Sequence, residues 1–420
     1  MSRYWRVLLL IVLAGFAVRV AYVGFAKLDE TLGVNDQLFY NAAANALLEE
    51  GFVEPFEPGT TVQGTDPAAD HPPLTIIVLA PVSFVSDQSP NAQRFTMALI
   101  GTATVLLLGL LGREVAGERA GWIAAGIGAF YPNLWVNDGI IMSESLAALV
   151  VTAALLLTYR MIRAPSVRTA VALGVVCALC ALTRAELVLF IPALAMAGAL
   201  VAQSTERRAR LRLAVVTAVA AGVVVGPWVV YNMVRFEEPT WLSSNEGIAL
   251  LGSNCDAVYH GDGTGLTTFE CMDTVPPRED FVDQSAQSAE YRDAAFEYMG
   301  DHPGRAVVVA AARAGRTWSV FRPWDMVTYN EGEARERWVT ILGIIAFYPL
   351  VIGAAAGFVV LHRRRTTWWP FLVPIIVVTV ASAATYGQTR FRVPAEPSLV
   401  VLAAVAIDAF LRSRSKASVD

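Results

Sequence analysis

Two arginines stand one residue apart in the stretch YGQTRFRVPAEP, between hydrophobic runs long enough to cross a membrane. Arg390 and Arg392 bracket Phe391, and the two prolines that follow stiffen the backbone. A guanidinium presents donors in a fixed fork that suits carboxylate and phosphate oxygens. The pattern favours a rigid anion clamp over a solvated loop whose arginines reach the lipid headgroups. Whether both arginines bind the anion, or one pairs with Glu396, stays open.

A carboxylate comes early in the chain, in the segment GVNDQLFYNAAANALLEEG. This segment is typical of a helix with Asn35 or Asp36 as its N-cap and Gly51 at its end. Helix capping alone accounts for Asp36. At the mouth of a cavity that also holds an anion clamp, however, such a carboxylate can act as a general base.

Further charged residues are predicted on the same face of the membrane as the two arginines. A charge inside a membrane helix costs about 2.5 to 3.5 kcal/mol on insertion scales, so such residues usually line a bundle interior or a wet cavity. We expect them to line a polar cavity that opens outward, not a path through the membrane. They are His71, Arg94, Asp138, Glu144, Arg184 and Glu186.

The elements that must position these residues are membrane helices. Hydrophobic residues make up 55% and charged residues 16% of the 420 residues, which lies outside the range of soluble domains. We expect an all-α polytopic membrane protein of about ten transmembrane helices with a small extracytoplasmic, mainly helical domain, and no nucleic-acid partner. The candidate spans are residues 6–26, 94–112, 121–138, 143–160, 169–183, 187–203, 213–232, 338–360, 368–386 and 395–411.

Two runs leave the number of spans open. Residues 72–85 are short and contain Pro81, and residues 169–203 fit either one long helix or a hairpin. If the first run does not span and the second is a hairpin, the arginine clusters all fall on one side, which the positive-inside rule makes cytoplasmic. This predicts a multi-pass protein of the cell membrane with both termini cytoplasmic, and a juxtamembrane or re-entrant segment at 72–85.

The predicted topology divides the chain into three regions. They are an N-terminal transmembrane module (1–232) with a catalytic first loop (27–93), an extracytoplasmic domain (233–337), and C-terminal transmembrane helices with the arginine-containing outer loop (338–420). The extracytoplasmic domain has nine arginines against eighteen acids, and its pattern predicts amphipathic helices near 284–300 and 303–319.

The four cysteines fall into two pairs. Cys255 and Cys271 lie in the predicted extracytoplasmic domain, where disulfides form, so a disulfide is favoured over two free buried thiols. Cys177 and Cys180 have CxxC spacing but lie inside a predicted membrane helix. They are interpreted as small residues of helix packing.

The order of these motifs resembles that of a known superfamily. The aspartate after the first span is followed by HPPL (71–74), an arginine before a glycine-containing span, SESLAALV (143–150), LTRAE (182–186) and RFRVPAEP (390–397). This order is similar to the GT-C superfamily of integral-membrane glycosyltransferases, in particular glycosyltransferase family 39, the protein O-mannosyltransferases and the lipid A aminoarabinose transferases. The resemblance covers nearly all of residues 5–232 and 338–410.

The resemblance implies transfer of one sugar from a polyprenyl-phosphate carrier in the membrane, with inversion, to an acceptor at the extracytoplasmic face. It makes Asp36 the catalytic aspartate. It makes Arg390 and Arg392 the groups that hold the donor phosphate, and it places Arg184 and Glu186 in the cavity lining. The sugar, the carrier length and the acceptor, whether protein, lipid or wall polysaccharide, stay open.

Such a transfer needs few catalytic groups. A lipid phosphate leaves readily once its charge is neutralised, so a single displacement needs one base and one cationic clamp. No cofactor is required, and no cluster of His, Cys, Asp and Glu has zinc-ligand spacing. A divalent ion between Asp36 and the phosphate stays open, with His71 as a neighbour. Alternatively, His71 only begins a helix before Pro72 and Pro73.

Two other functions fit the sequence less well than a glycosyltransferase. A transporter or flippase for a lipid-linked or anionic substrate typically has repeated halves and a midplane site, whereas this sequence has no obvious repeat and its charges cluster at one face. An assembly factor that works through its acidic domain would not need a charged inner cavity. The sequence therefore favours a glycosyltransferase.

Overall fold

The structure, a computed structural model, describes residues 2–28, 30–33, 36–53, 66–203, 206–275 and 283–417. Apart from an isolated antiparallel bridge between Val53 and Pro67, the regular structure of these residues is helical, as predicted. The helices of the first half are α1 (Arg3–Tyr22), α2 (Asp36–Glu50), α3 (Leu74–Val85), α4 (Pro90–Ala116), α5 (Glu118–Phe130), α6 (Pro132–Trp135), α7 (Glu144–Arg163), α8 (Val167–Thr183), α9 (Ala197–Leu200) and α10 (Arg207–Arg235).

The second half continues in the same manner. Its helices are α11 (Glu246–Leu251), α12 (Asp256–Tyr259), α13 (Gln284–Asp301), α14 (Pro303–Thr317), α15 (Asp325–Gly332), α16 (Arg337–Arg363), α17 (Leu372–Ala384) and α18 (Glu396–Ala417). Short 3₁₀ segments cover Val136–Gly139, Ala185–Leu189, Gly261–Gly263, Phe269–Thr274, Trp369–Phe371 and Thr389–Ala395, and π-helical turns cover Val23–Lys27 and Ile191–Met196.

Six helices in the described part of the chain are long and apolar enough to cross a membrane. They are Arg3–Lys27, Pro90–Ala116, Glu144–Arg163, Arg207–Arg235, Arg337–Arg363 and Thr389–Arg414. The remaining predicted spans fall on shorter helices such as α5, whose 13 residues are fewer than the about 20 that cross the hydrocarbon core. The all-helical fold is thus confirmed with six candidate spans, and the ten spans and the extracytoplasmic domain stay predictions.

Helices α7 and α18 are mostly buried and form the centre of the bundle. Most of the surface of α1 and α10 is exposed. Helices α4, α5 and α16 pack around the central pair. Small residues allow the close approach. A Cβ atom at Gly357 of α16 would collide with the carbonyl oxygen of Leu402 of α18.

The two ambiguous runs have definite structures. Helix α8 ends at Thr183 because Arg184 has extended backbone angles (φ −147°, ψ 127°), and the chain then folds back along α8. Residues 169–203 therefore form the hairpin, not one long helix. Residues 72–85 contain α3, whose 12 residues pack on α2 and α4.

The segment between α10 and α16 has the two helices that the sequence predicts. Helices α13 and α14 coincide with the predicted 284–300 and 303–319 to within two residues at each end. The Asp283 carboxylate caps α13 by accepting from backbone N–H groups of its first turn. Arg313 of α14 is buried and donates to the carbonyl of Ala383 at the end of α17 (3.3 Å), which fixes this segment to the membrane helices.

The cysteines also lie in two distinct settings. Cys255, directly before α12, and Cys271, in the 3₁₀ segment Phe269–Thr274, are joined in a disulfide with their Cα atoms 5.5 Å apart. Cys177 and Cys180 are free and buried in α8. The outer location of the disulfide and the boundaries of the three predicted regions stay predictions.

Candidate active site

A cavity of about 500 Å³ lies where the starts of α2 and α7, the turn after α8 and the 3₁₀ segment before α18 meet. Asp36 and Glu144 occupy first turns of helices, and Arg184 directly follows a last turn. Helix dipoles favour negative charge at the start of a helix and positive charge at its end. The structure brings these predicted site residues to the cavity lining: Asp36, His71, Glu144, Arg184, Glu186 and Arg390.

Arg390 connects three carboxylates at this cavity. Its Nη1 atom lies 2.8 Å from Oδ2 of Asp36, 3.3 Å from Oε2 of Glu333 and 3.8 Å from Oε1 of Glu144. Its Nε atom donates to the Gln388 side chain, and only 8% of the side chain is exposed. The guanidinium is therefore oriented by groups from the first loop, from α7 and from the residue after α15.

Asp36 is both paired and accessible. Its Oδ2 atom accepts from Arg390, its Oδ1 atom lies 3.7 Å from Nε2 of His71, and 32% of its side chain is exposed. The His71 ring stacks on Tyr40 with ring centroids 4.9 Å apart. Burial raises the pKa of Asp36, but the Arg390 guanidinium and His71 outweigh burial and hold this pKa below its usual range. Asp36 is thus an ionised carboxylate at neutral pH.

The lowered pKa of Asp36 predicts how pH changes the stability of the protein. A carboxylate with a depressed pKa in the folded state stabilises that state above its unfolded pKa of about 3.9 and loses this contribution as the pH falls. We expect wild type to exceed Asp36→Asn in Tm by a constant margin from pH 5 to 8, and this margin to shrink below about pH 4.

Thermal unfolding of detergent-solubilised protein between pH 3.5 and 8 checks this expectation. Asp301→Asn, which changes an exposed aspartate at the end of α13, serves as the control and should show no pH-dependent margin. A margin that widens as the pH falls would contradict the pairing of Asp36.

Glu144 holds a second guanidinium beside the first. Arg184 donates from Nε to Oε1 of Glu186 (2.6 Å) and from Nη1 to Oε1 of Glu144 (3.4 Å). The same Glu144 oxygen faces Arg390, while its Oε2 atom has no hydrogen-bond partner among the described residues. The guanidinium carbon of Arg184 lies 5.1 Å from the centre of the Phe391 ring. Two guanidinium groups are thus held next to each other at the cavity.

Arg392 faces away from the cavity. Its Nε atom donates to Oε1 of Glu396 (2.7 Å), and its Nη1 atom donates to Oγ of Ser319 (2.8 Å). Its guanidinium carbon lies 3.8 Å from the centre of the Phe347 ring. The structure therefore does not bring Arg392 to the lining with Arg390. The pair with Glu396, which the sequence left open, is the arrangement observed.

The buried pair of Arg392 and Glu396 predicts a stability defect. Arg392→Ala leaves Glu396 as a buried carboxylate without its partner, so we expect a loss of about 3 kcal/mol in unfolding free energy. The double variant Arg392→Ala/Glu396→Ala should lose less, because no uncompensated charge remains. Thermal unfolding in detergent measures both. A single variant as stable as wild type would show that the pair does not stabilise the fold.

Arg94 and Asp138 were predicted to line the cavity, but the structure places both inside the helix bundle and not in the cavity lining. Arg94 donates to the backbone carbonyls of Lys27 (2.6 Å) and Glu30 (2.8 Å). Asp138 lies 2.6 Å from Nε of Arg19 in α1. Arg94 thus connects the start of α4 to the segment after α1, and Asp138 connects the turn before α7 to α1.

Glu333 is a residue that the sequence did not single out. It follows α15, and it also lies within 3.4 Å of the Gln388 side chain that orients Arg390. The Lys27 ammonium fixes the next residue by donating to the carbonyl of Ala334 (2.7 Å). Nothing in the sequence distinguishes Glu333 from the other acids among the eighteen of residues 233–337.

Comparison with known proteins shows which family and which folds this chain resembles. The profile of the family described as dolichyl-phosphate-mannose-protein mannosyltransferase matches residues 70–231. A search of curated proteins finds no match. The fold is shared with two solved membrane glycosyltransferases of the GT-C class, so the resemblance drawn from the motifs is confirmed.

The first is the oligosaccharyltransferase of Archaeoglobus fulgidus, tethered with an acceptor peptide containing the NVT sequon. It matches with a TM-score of 0.60 and 16% identity, over 98% of this chain and 50% of that chain. Its complex with Zn and sulfate matches with a TM-score of 0.55 and 16% identity, over 97% of this chain and 49% of that chain.

The second is ArnT from Cupriavidus metallidurans bound to undecaprenyl phosphate. It matches with a TM-score of 0.53 and 16% identity, over 94% of this chain and 59% of that chain. The present chain thus spans about half to three fifths of the length of these structures. At this identity the likeness shows the fold, and the family match supports a glycosyltransferase.

The residues of the cavity offer few ligands for a divalent metal. In the described ranges, no group of three or more His, Cys, Asp and Glu side chains is arranged to hold a metal ion. Asp36 and His71 lie close together, but the other Asp36 oxygen accepts from Arg390. A divalent ion at this carboxylate would therefore compete with a guanidinium, and the site as built does not form a complete ligand set.

Proposed function

We propose that this protein is an inverting glycosyltransferase that moves a single sugar from a polyprenyl-phosphate carrier to an acceptor at the extracytoplasmic membrane face. The observation that carries this proposal is the contact of 2.8 Å between Asp36 and Arg390 at one cavity. A base and an anion-binding group there face the same space. The undecaprenyl phosphate of ArnT provides an example of a lipid phosphate bound by this fold.

The placement at the outer face is supported by the direction of α7. This helix begins at Glu144 beside the cavity and ends in a turn that contains Arg160 and Arg163. Arginines next to membrane helices favour the cytoplasmic side. The cavity at the opposite end of α7 is therefore assigned to the extracytoplasmic side.

Arg390 has two roles in the proposed mechanism. Its guanidinium suits the donor phosphate, which must compete for it with Asp36, Glu144 and Glu333. When the phosphate takes the guanidinium, Asp36 loses the partner that lowers its pKa and becomes a stronger base. Donor binding would thus activate the base.

The transfer itself is one displacement. The Asp36 carboxylate accepts the proton of an acceptor hydroxyl or amine as that group attacks the anomeric carbon. The bond between this carbon and the phosphate oxygen breaks on the opposite face, and Arg390 neutralises the departing phosphate. A single displacement inverts the anomeric carbon and needs no second carboxylate as nucleophile.

The lipid part of the donor requires an apolar wall. Val378, Ala381 and Ala384 line the cavity and follow each other at intervals of three residues along α17. Residues at this spacing lie on one face of a helix. This face suits a prenyl chain whose phosphate lies at Arg390.

The experiment that tests the proposal supplies purified protein with undecaprenyl-phosphate-linked mannose, glucose, arabinose and aminoarabinose. We expect one of these donors to be consumed and undecaprenyl phosphate to be released in proportion. Movement of a lipid-linked sugar across proteoliposomes without donor consumption would contradict the proposal and indicate a transporter.

A further inference from the structure

The cavity has a second wall that the transfer chemistry does not use. It is formed by residues 238–246, between α10 and α11, together with Ser285, Ser288 and Arg292 of α13. The donor-side groups instead come from α2, α7 and α17, from the turn after α8 and from the 3₁₀ segment Thr389–Ala395. Because both sets line one cavity, this acceptor wall, as we name it, faces the space in which Asp36 must meet the attacking group.

The acceptor wall is held rigidly. The backbone N–H of Ser244 donates to the carbonyl of Ala69 (2.8 Å), and its hydroxyl donates to the Gln284 side chain (3.0 Å). The Ser243 hydroxyl donates to the carbonyl of Asp70. A surface that is ordered before binding loses less entropy when a ligand arrives.

The acceptor wall presents three kinds of side chain to the cavity: an aromatic ring, a carboxamide and charged groups. Trp241 is 66% exposed, whereas its apolar neighbour in the wall, Leu242, is buried. Asn245, with its polar carboxamide, also lines the cavity. Glu246 is exposed and pairs with Arg292 at 3.3 Å. The wall also contains the exposed Glu238, so its two glutamates outnumber its single arginine and its net charge is negative.

We propose that the acceptor wall binds an uncharged carbohydrate as the acceptor, an inference that rests on the proposed function. An aromatic ring packs against the C–H face of a sugar, while carboxylate and carboxamide groups beside it bind hydroxyls. The net negative charge disfavours a phosphorylated lipid headgroup. A peptide that binds by strand addition would need a sheet edge, and the described residues form no sheet.

The test uses the full-length protein in nanodiscs and saturation-transfer NMR with neutral tetrasaccharides of mannose, glucose or arabinose. At least one tetrasaccharide should bind wild type, and Trp241→Ala should raise its Kd about 10-fold or more. Trp241→Phe, which keeps a ring, should retain most of the affinity. Trp324→Ala is the matched control, because this tryptophan is 59% exposed and does not line the cavity.

Three results would overturn the inference. They are failure of every neutral tetrasaccharide to bind, an unchanged Kd in Trp241→Ala, and tighter binding of a phosphorylated tetrasaccharide or a serine-rich peptide. Binding of undecaprenyl phosphate is measured in the same preparation. We expect this binding to depend on Arg390 and not on Trp241, so it separates a failure of the acceptor inference from a failure of the proposed function. Intact lipid-phosphate binding without tetrasaccharide binding removes only the carbohydrate acceptor. Loss of lipid-phosphate binding instead removes the proposed donor.

Discussion

Replacing Asp36 with asparagine is expected to lower kcat for sugar transfer by about 10²- to 10⁴-fold, the usual contribution of a general base. Asparagine keeps the size of the side chain but cannot accept the proton of the attacking group. Arg390 loses one of its three carboxylate partners in this variant. Undecaprenyl phosphate should therefore bind at least as tightly as in wild type, while turnover falls.

Single-turnover measurement of donor loss, combined with calorimetric binding of undecaprenyl phosphate, separates these two effects. Asp301→Asn controls for the removal of an acid at an exposed place and should keep the wild-type rate. A folded Asp36→Asn preparation with wild-type kcat would exclude Asp36 as the base. Equal losses of kcat and lipid-phosphate affinity would instead indicate that Asp36 mainly orients Arg390.

Replacing Arg390 with alanine is expected to weaken undecaprenyl phosphate binding by about 10²-fold or more, because the donor phosphate loses its main cationic partner in a buried site. The variant also leaves Asp36 and Glu333 without their common partner. Arg390→Lys should recover part of the affinity, since it keeps the charge but loses the planar fork.

Calorimetric titration with undecaprenyl phosphate measures this loss, and thermal unfolding of each variant confirms that the protein is folded. Arg337→Ala, which removes an exposed arginine at the start of α16, is the matched control and should bind like wild type. Wild-type affinity in both Arg390 variants would contradict the phosphate role and leave Arg390 as an internal partner of the three carboxylates.

Much of the fold follows from the sequence. Hydrophobic length located the long helices because a chain in lipid must satisfy its backbone groups within each helix. Charge placement then selected the hairpin after α8 over one long helix, as the structure shows. Asp36 and Arg390 are 354 positions apart, yet both were selected, because charges next to apolar runs are costly unless a cavity receives them.

The two arginines of the RFR stretch show where prediction from the sequence ends. They have the same residue type and lie two positions apart, so the sequence treats them alike. The structure places them in a 3₁₀ segment, Thr389–Ala395, in which residues two apart point in directions about 120° apart. Arg390 therefore points to the cavity, and Arg392 points to Glu396 and Ser319.

Glu333 and the acceptor wall depend even more on tertiary structure. No local sequence pattern identifies either of them, because their roles depend on residues far away in the chain. Glu333 contacts Arg390, and Ser244 contacts Ala69 and Gln284. The sequence by itself determined the long apolar helices, the hairpin after α8 and the chemical types available for catalysis. Only the packing of distant segments decided which of those charges share a cavity and which neutralise one another inside the bundle, because ion pairing is set by distance in space and not along the chain.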